Sequence, residues 1–482
     1  MELKRNVAWV RRPDPVLRAD GVFGHSVTMN PCPIVEGDTI YLFYAADDAS
    51  GRRTVRLATA SVRAPETFTY RGIAVRNGDT PGDFDYQWVV LPHVVKLPDG
   101  RFYMLYSGNC GFGVGLAAFP GLGAAWSRDL LHWEKYGHNP VLTPADEPGH
   151  PLMGIAGGGL YCEDTGGGTY VLHLFYTGCP TVGDNVFLDQ QKFCCYATST
   201  DGIHWQRHGA VHRRTTARDY ENIASTGGPA LRGEDGLWQH WYSSIGTRWG
   251  VYSINYAEST DGIHWNRGER YGENLALAPE VRDIGELAFP LHEARWQDQS
   301  VSYPGVICLN GELRMYYCGN DYGGGGIGTA VAAPMRIALT GETGGGAKLW
   351  HRGTDALYGM RLSSVVRADN RVLAPGRHEE GITHNASVFY EEFPEKDGVP
   401  LFSLRTVLVH TEDGIRFDLF AESRTDAICR DISVTVETGS APVVLTSADA
   451  AVTVCPGGFE VCLGDLGAGD TACVHTWIAD AF

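Results

Sequence analysis

Short runs of apolar and aromatic residues recur along the first two-thirds of the chain, and each follows a proline or glycine and a tight turn. Examples are Tyr41–Tyr44, Phe102–Gly108 and Leu313–Gly319. Such runs, rich in Tyr and Phe and bounded by Gly and Pro, are typical of β-strands. The pattern therefore predicts an all-β fold, made of many short strands joined by turns.

A seven-residue motif recurs among these strands. Its copies are Ser127–Trp133, Ser199–Trp205, Ser259–Trp265 and, more weakly, Thr411–Phe417. An Asp-Gly pair favours the geometry of a hairpin turn, and the residues after it restart a strand. We therefore expect a repeated turn in which His204 and His264 have a structural role.

A longer strand-turn-strand element occurs five times, at a spacing of about 60 residues. Its copies begin near Pro31, Pro92, Gly157, Pro229 and Pro304. Repeats of this length suit four-stranded blades arranged radially, so we predict a five-bladed β-propeller over residues 1–338. Alternating segments such as Ile432–Val436 then predict a C-terminal β-sandwich over residues 339–482.

The chain of 482 residues is acidic, with 39 lysines and arginines against 57 aspartates and glutamates. A net charge of −18 without a basic tract argues against nucleic acid and anionic membranes as partners. No apolar run approaches the roughly 20 residues of a membrane span, and Met1–Arg12 carries no secretory signal. We expect a cytoplasmic protein that binds a small polyhydroxylated ligand, and the composition leaves a homo-oligomer open.

The 12 cysteines include no Cys-x-x-Cys pair, and the adjacent Cys194 and Cys195 are interpreted as packed thiols. Closely spaced Cys and His residues are the usual mark of a structural zinc site. The sequence therefore predicts neither a disulfide framework nor a bound metal or cofactor.

The repeated strands and the Ser-x-Asp-Gly-x-x-Trp turns resemble the five-bladed propeller glycosidases, glycoside hydrolase families 32, 43, 117 and 130. The resemblance covers about two-thirds of the chain and implies a propeller that binds a sugar and cleaves a glycosidic bond. In family 32 a β-sandwich follows the propeller. Some relatives hold calcium or another divalent cation in the central channel, and the resemblance leaves such a cation as an alternative to a channel without metal.

The catalytic residues of these families do not carry over to this chain. Family 43 opens its first blade with Asp-Pro, where this chain has Asn30 before the proline. His93 occupies the place of the acidic residue in the second blade, and Gly227 stands where the family has the glutamate of Glu-Gly-Pro. The resemblance therefore implies the fold and a sugar ligand, while the acid and the base must come from other residues.

Counting back six to eight residues from the start of each repeat gives an ionisable residue at a similar place in every copy. Three of these residues are carboxylates, namely Asp85, Glu221 and Asp298. Glycoside hydrolysis needs one carboxylic acid and one carboxylate that acts as base or nucleophile. We predict these three as the catalytic set, with Glu221 as the acid. The alternative is that each caps a turn or pairs with an arginine.

Five further residues lie beside these positions in the sequence, and we predict that they bind substrate. They are His25, Trp88, His93, Trp296 and Tyr303. Aromatic faces stack on the C–H faces of sugars, and amphipathic rings suit a pocket that is half wet. The alternative is packing between blades for the tryptophans and a hydrogen-bonded position in the channel for His93.

The sequence thus predicts a glycoside hydrolase for a small oligosaccharide or glycoside, furanosides included. A glycoside phosphorylase is one alternative, which a cluster of Arg or His able to hold phosphate would favour. A catalytically silent sugar-binding propeller is the other, and the missing family carboxylates at Asn30, His93 and Gly227 favour it.

Overall fold

The computed structural model describes residues 7–12, 14–111, 118–144, 152–180, 192–247, 250–267, 274–277, 279, 296–297, 299–334, 337–342, 346–351, 364–368, 371–373, 377–382, 386–394, 400–411, 414–424, 428–437, 445–448, 451–455, 458–467 and 469–479. Regular structure in these ranges is almost entirely β-strand, which confirms the all-β prediction. The described part holds a single helical turn, α1 (Asn320–Gly323). No described helix has the length and apolar character needed to cross a membrane.

The first strand, β1 (Val7–Arg11), pairs with a strand more than 300 residues later in the chain. The next eight strands form two groups with antiparallel pairing in chain order. Group 1 contains β2 (Thr28–Glu36), β3 (Thr39–Asp47), β4 (Arg53–Ser61) and β5 (Thr69–Val75). Group 2 contains β6 (Trp88–Lys96), β7 (Phe102–Asn109), β8 (Gly121–Ser127) and β9 (Trp133–Lys135). A parallel pair, Arg53 with Trp88, joins the two groups.

Two further groups follow the same order. Group 3 contains β10 (Leu152–Gly166), β11 (Thr169–Pro180), β12 (Phe193–Ser199) and β13 (Gln206–His212). Group 4 contains β14 (Ala224–Ser225), β15 (Ala230–Arg232), β16 (Trp238–Ile245), β17 (Tyr252–Ser259) and β18 (Leu275–Leu277). In group 4 the two short strands β14 and β15 both pair with β16, so together they take the place of one long first strand.

Group 5 is completed by the beginning of the chain. It contains β19 (Ser302–Leu309), β20 (Glu312–Cys318) and β21 (Ile327–Pro334), and β1 pairs with β21 as its fourth strand. Trp9 of β1 is buried and lies against Trp241, with the ring centroids 6.2 Å apart. The first and last segments of this region are therefore joined in one sheet.

The remaining strands form three sheets. One pairs β22 (Ile337–Glu342) with β23 (Gly346–His351). A second has the order β25-β24-β30-β33-β32, with β24 (Ser364–Ala368), β25 (Arg371–Leu373), β30 (Cys429–Glu437), β32 (Val452–Cys455) and β33 (Gly458–Leu466). The third has the order β26-β27-β28-β29-β34-β31, with β26 (Arg377–Ile382), β27 (Ala386–Pro394), β28 (Pro400–Thr411), β29 (Gly414–Ser423), β31 (Leu445–Ala448) and β34 (Thr471–Ala479). One core cluster contains residues of both larger sheets, including Leu404, Leu419, Val434 and Val461. The predicted boundary at residue 338 lies within β22 and stays a prediction.

The buried cores of the first part lie between neighbouring groups. Phe43 of group 1 packs in one cluster with Tyr106 of group 2, and Leu42 of group 1 packs in another with Tyr316 of group 5. Three more clusters join groups 2 and 3, groups 3 and 4, and groups 4 and 5. Each group therefore packs on both sides, and the five groups follow one another in a closed ring.

The recurring seven-residue motif forms the same turn in three places. In the second copy, Oδ1 of Asp201 accepts the backbone N–H groups of Ile203 and His204, each at 2.8 Å. Nδ1 of His204 lies 2.7 Å from the other carboxylate oxygen of Asp201, and these contacts lower the pKa of that carboxyl to about 2 against the opposing effect of burial. His204 is a member of the turn, and His264 holds the same place against Asp261.

Candidate functional site

In groups 1, 2, 3 and 5, the first strand carries one extra residue at the same place. In β2, Asn30 and Pro31 stand opposite the single residue Tyr44, because the pairing shifts between Met29 and Cys32. The same shift occurs in β6 between Val90 and His93, in β10 between Ala156 and Gly159, and in β19 between Ser302 and Gly305. Such bulges bend a strand and redirect its side chains, and they are common beside active sites.

These bulges form the wall of a cavity of about 790 Å³. The bulge residues in its lining are Asn30, Pro31, Leu91, Gly157, Gly158, Tyr303 and Pro304, and Gly227 and Gly228 line it from group 4. The repeated element thus contributes to one site from all five groups, and this site is called the main cavity below.

Three bulge residues have a strained backbone. Asn30, Leu91 and Tyr303 have φ angles of 55°, 52° and 51°, in the left-handed region that residues other than glycine seldom adopt. Groups 3 and 4 have glycines at the corresponding places, and they allow close approach: a Cβ on Gly158 would lie 1.9 Å from the carbonyl oxygen of Phe175. Strain of this kind is concentrated at functional sites, where the surrounding structure holds it in place.

Arg53 is the first cation of the main cavity. Its guanidinium lies over the ring of Trp88, 4.2 Å from the centroid, and Nη1 donates to the sulfur of Met29 at 3.4 Å. Burial lowers the pKa of Arg53, while Asp47 and Tyr303 oppose that shift. A guanidinium keeps its charge under such shifts, so the side chain presents a positive charge to the cavity.

Lys192 is the second cation, and it belongs to the segment that leads into β12. Nζ donates to the hydroxyl of Tyr252 at 3.0 Å. Burial lowers the pKa of Lys192, but the interaction with Tyr252 outweighs burial and leaves the pKa above its ordinary value. The amine is therefore protonated at neutral pH, although the residue is half-buried.

Two tyrosines connect these cations. The rings of Tyr252 and Tyr303 are 5.5 Å apart, and burial together with Tyr252 raises the pKa of Tyr303 well above its ordinary value. Tyr303 interacts electrostatically with Arg53, and Tyr252 accepts from Lys192. One guanidinium, two phenols and one ammonium group therefore line the same cavity.

Asp321 is the one carboxylate among the described residues of the cavity lining. It lies in α1 with a φ of 53°, beside Tyr322 at 56°, and it is exposed. Tyr322 contacts Tyr252 edge to face at 5.8 Å. Because calcium sites draw on many oxygen ligands, usually with several carboxylates, the described lining offers little to that cation.

His93 lies between the main cavity and a second cavity of about 330 Å³, and it lines both. Its Nε2 atom is buried without a hydrogen-bond partner. Burial lowers the pKa of His93 to about 3. The ring is thus neutral at physiological pH, with one nitrogen left to interact with a bound molecule.

Of the residues predicted to bind substrate, Trp88, His93 and Tyr303 line the main cavity. His25 is exposed, and its backbone N–H donates to the carboxylate of Asp47 at 3.1 Å. Trp296 stacks on Tyr317 at 5.6 Å and fills space beside Gly328, where a Cβ would lie 1.8 Å from its ring. Neither His25 nor Trp296 is in the described lining.

Two of the three predicted catalytic carboxylates lie elsewhere. Asp85 is buried, accepts from the Tyr106 hydroxyl at 3.1 Å and pairs with Lys135 at 2.7 Å. Glu221 is also buried and pairs with Arg218 at 2.9 Å. Neither of these two residues lines the main cavity, and Asp298 lies outside the described residues, so its role stays a prediction.

A repeated contact accounts for the regular spacing of Asp85 and Glu221. In four groups, the tyrosine on the second strand donates its hydroxyl hydrogen bond to the segment that leads into the first strand. The pairs are Tyr44 with the Phe23 carbonyl, Tyr106 with Asp85, Tyr242 with Glu221, and Tyr317 with Gln297. The regularity in the sequence therefore coincides with a repeated tyrosine contact, and the catalytic role of Asp85 and Glu221 stays a prediction.

The sequence did not single out Arg53, Lys192 or Asp321. All three lie outside the aromatic strands that made the repeats visible: at the start of β4, before β12 and after β20. What could have identified them in the sequence is that each lies at or near the end of a strand. All three line the cavity together with the bulge residues.

No protein-family model matches the chain. An uncharacterized protein of Mycobacterium tuberculosis is 29% identical over 298 residues, which are 62% of this chain and 89% of that protein. A sucrose-6-phosphate hydrolase of Zymomonas mobilis is 33% identical over 127 residues, which are 26% of this chain and 22% of that enzyme.

A solved structure from the GH130 family of mannoside phosphorylases, which contains glycoside hydrolases that target β-1,2 mannosidic linkages in Candida mannan, has a TM-score of 0.50 with this chain. It is 18% identical and covers 69% of this chain and 95% of its own. At this identity the likeness shows the fold alone, a β-propeller.

Proposed function

We propose, from the resemblance of this chain to the propeller glycosidases, that the protein is a carbohydrate-active enzyme that acts on a glycosidic bond in the main cavity. The observation that carries the proposal is the set of Arg53, Tyr303, Tyr252 and Lys192 beside Trp88. This wall combines an aromatic face with hydroxyl donors and two positive charges.

The architecture proposed with it is a five-bladed propeller followed by a β-sandwich. Groups 1 to 5 are the blades, since a buried core joins each group to the next and β1 completes group 5. The shared core of the two larger C-terminal sheets supports the sandwich. On this arrangement the main cavity opens at one end of the central channel.

A small sugar suits the main cavity in size and chemistry. A volume of about 790 Å³ lies within the usual range of ligand sites. Trp88 offers a face for the C–H groups of a sugar ring, and the side-chain amides of Gln87 and Asn109 offer donors and acceptors for its hydroxyls. Asn30 adds a buried Nδ2 that has no partner in the free protein.

The charges favour phosphorolysis over hydrolysis. Hydrolysis uses two carboxyl groups on either side of the scissile bond, and the described lining holds Asp321 alone. Phosphorolysis needs one acid and a site for inorganic phosphate, for which Arg53 and Lys192 supply the positive charge. A phosphate oxygen attacks the anomeric carbon, the bond from that carbon to the glycosidic oxygen breaks, and the departing oxygen takes a proton, for whose transfer Asp321 is the one carboxyl group in the described lining.

Product analysis tests this proposal. The full chain is incubated with a panel of aryl and disaccharide glycosides, with and without inorganic phosphate, and the release of sugar 1-phosphate and of free sugar is measured. We expect turnover that requires phosphate. Equal turnover in phosphate-free buffer would instead indicate hydrolysis, and sugar binding without any turnover would indicate a silent binding protein.

Charge-neutral variants identify the phosphate site. Hydrogen bonds to charged groups contribute about 1.5–3 kcal/mol each, so Arg53→Gln and Lys192→Met should each raise the KM for phosphate by about 10- to 100-fold. Arg101→Gln is the matched control, because Arg101 is a half-exposed cation that pairs with Asp99 away from the cavity. A phosphate KM that is unchanged in both cavity variants contradicts the assignment.

A further inference from the structure

A second group of reactive side chains lies outside the main cavity. Cys194 of β12, His212 of β13 and His240 of β16 each bring one potential ligand atom to within 4.8 Å of the others. All three are buried, with 0%, 5% and 0% of their surface exposed. Cys194 and His212 are paired residues of adjacent strands in group 3, and His240 belongs to group 4.

The distance between the two imidazoles matches that between two ligands of one metal ion. Nε2 of His212 lies 3.3 Å from Nδ1 of His240. Two nitrogens bound to one zinc ion at ~2.0–2.1 Å with a tetrahedral angle are ~3.3–3.4 Å apart. The observed separation is also longer than the usual 2.9–3.0 Å of a good N–H hydrogen bond.

The surroundings of the histidines fit the same interpretation. The Ser225 hydroxyl lies 2.9 Å from Nδ1 of His212, and such a contact with the second ring nitrogen orients a histidine ligand. The ring of His240 lies among aromatic groups, 5.1 Å from Trp265 and 5.3 Å from Phe175, which keep water away.

The donor set selects the kind of ion. Thiolate and imidazole ligands suit zinc and monovalent copper, whereas calcium and magnesium take oxygen ligands. Three ligands complete a trigonal copper site, and zinc would add a fourth ligand.

We propose that Cys194, His212 and His240 bind one soft transition-metal ion, Zn²⁺ or Cu⁺, which ties group 3 to group 4. None of the three residues is in the described lining of the main cavity, so the ion has a structural role. A metal in this place adds a bond between two sheets that also meet through side-chain packing and hydrogen bonds. The proposal does not depend on the glycosidic-bond chemistry above.

Cobalt binding by the full-length protein is the direct test. After treatment with a chelator, the folded protein is titrated with Co²⁺, and the thiolate-to-cobalt charge-transfer band in the near ultraviolet is measured. We expect one equivalent per chain, displaced by Zn²⁺, with a higher melting temperature for the loaded protein. Anaerobic titration with Cu⁺ against a copper chelator decides between the two ions. A folded wild-type protein without the thiolate band overturns the proposal.

Matched variants locate the site. Cys194→Ala and His240→Gln should each lower the metal affinity by about 100-fold or more, since each removes a direct ligand. Cys195→Ala is the control, because Cys195 is equally buried but packs into the cluster between groups 2 and 3. Equal metal binding by Cys194→Ala and Cys195→Ala overturns the assignment. The band in the wild-type protein decides the question if a ligand variant does not fold.

Discussion

The hydroxyl of Tyr242 donates a hydrogen bond of 2.7 Å to Oε2 of Glu221, a glutamate with no exposed surface. Arg218 holds the other carboxylate oxygen at 2.9 Å, and Arg267 lies 3.5 Å from Oε2. The carboxylate is thus enclosed by one phenol and two cations. These contacts hold the segment that leads into group 4.

This arrangement gives the first prediction. Glu221→Gln leaves two arginines without a counter-charge, and breaking a buried ion pair costs about 3–5 kcal/mol. We expect a lower melting temperature and urea midpoint, with kcat preserved in the fraction that remains folded. The control is Glu36→Gln, which removes an exposed pair with Lys96 and should change stability by about 1 kcal/mol or less. A large loss of kcat at unchanged stability would restore Glu221 as the acid.

The second prediction concerns Gly157 in the wall of the main cavity. A Cβ at this position would lie 3.2 Å from Cδ2 of His93 and 3.2 Å from the carbonyl oxygen of Leu91. Gly157→Ala should therefore displace the imidazole and raise the KM for the sugar several-fold. Gly137→Ala is the control, since nothing lies within 4 Å of a Cβ there. Steady-state kinetics of the two variants check this, and equal KM values would contradict it.

The third prediction follows from the buried imidazole of His93. Burial lowers its pKa from 6.5 to about 3, so between these pH values the unfolded chain binds a proton that the folded protein does not. The free energy of unfolding should therefore fall as the pH drops from about 6.5 toward 3, by up to about 1.4 kcal/mol per pH unit from this residue. His93→Leu should make the fall shallower. Urea denaturation at several pH values measures the slope, and identical slopes would refute the prediction.

The fourth prediction separates charge from geometry at Arg53. The guanidinium stacks on Trp88 at 4.2 Å, and an ammonium group cannot reproduce that planar contact or bind phosphate through two parallel hydrogen bonds. Arg53→Lys should keep part of the phosphate affinity, with a KM between those of the wild type and Arg53→Gln. The change in Trp88 fluorescence on adding phosphate should also differ between Arg53→Lys and the wild type. A lysine variant equal to the wild type in both measurements would show that charge alone suffices.

The sequence predicted the strands well because each repeat contains the same tyrosine. Tyr44, Tyr106, Tyr242 and Tyr317 are buried and hold the loops of their groups, so the pattern had to recur. Asp85 and Glu221 accept hydrogen bonds from two of these tyrosines, so they recur at the same spacing and were predicted as catalytic residues. Neither of them lines the main cavity. A periodic contact preserves the fold of every group, while a catalytic residue is needed in one place and has no reason to repeat.

The rest of the site could not be predicted from local patterns. A bulge is defined by the register between two strands, and one chain segment does not reveal its partner's register. Lys192 and Tyr252 belong to different groups and meet only in three dimensions. The same holds for Cys194, His212 and His240, because no sequence spacing of Cys and His links three strands of two sheets.

The pairing of β1 with β21 sets a condition on how the molecule forms during synthesis. Arg11 pairs with Ala330, so the first strand must wait until nearly 320 further residues have left the ribosome. Until then β1 has no partner strand. Deleting the first 12 residues should leave the edge of β21 open permanently, and exposed edges recruit strands from other chains. The shortened protein should form concentration-dependent assemblies, which light scattering can detect.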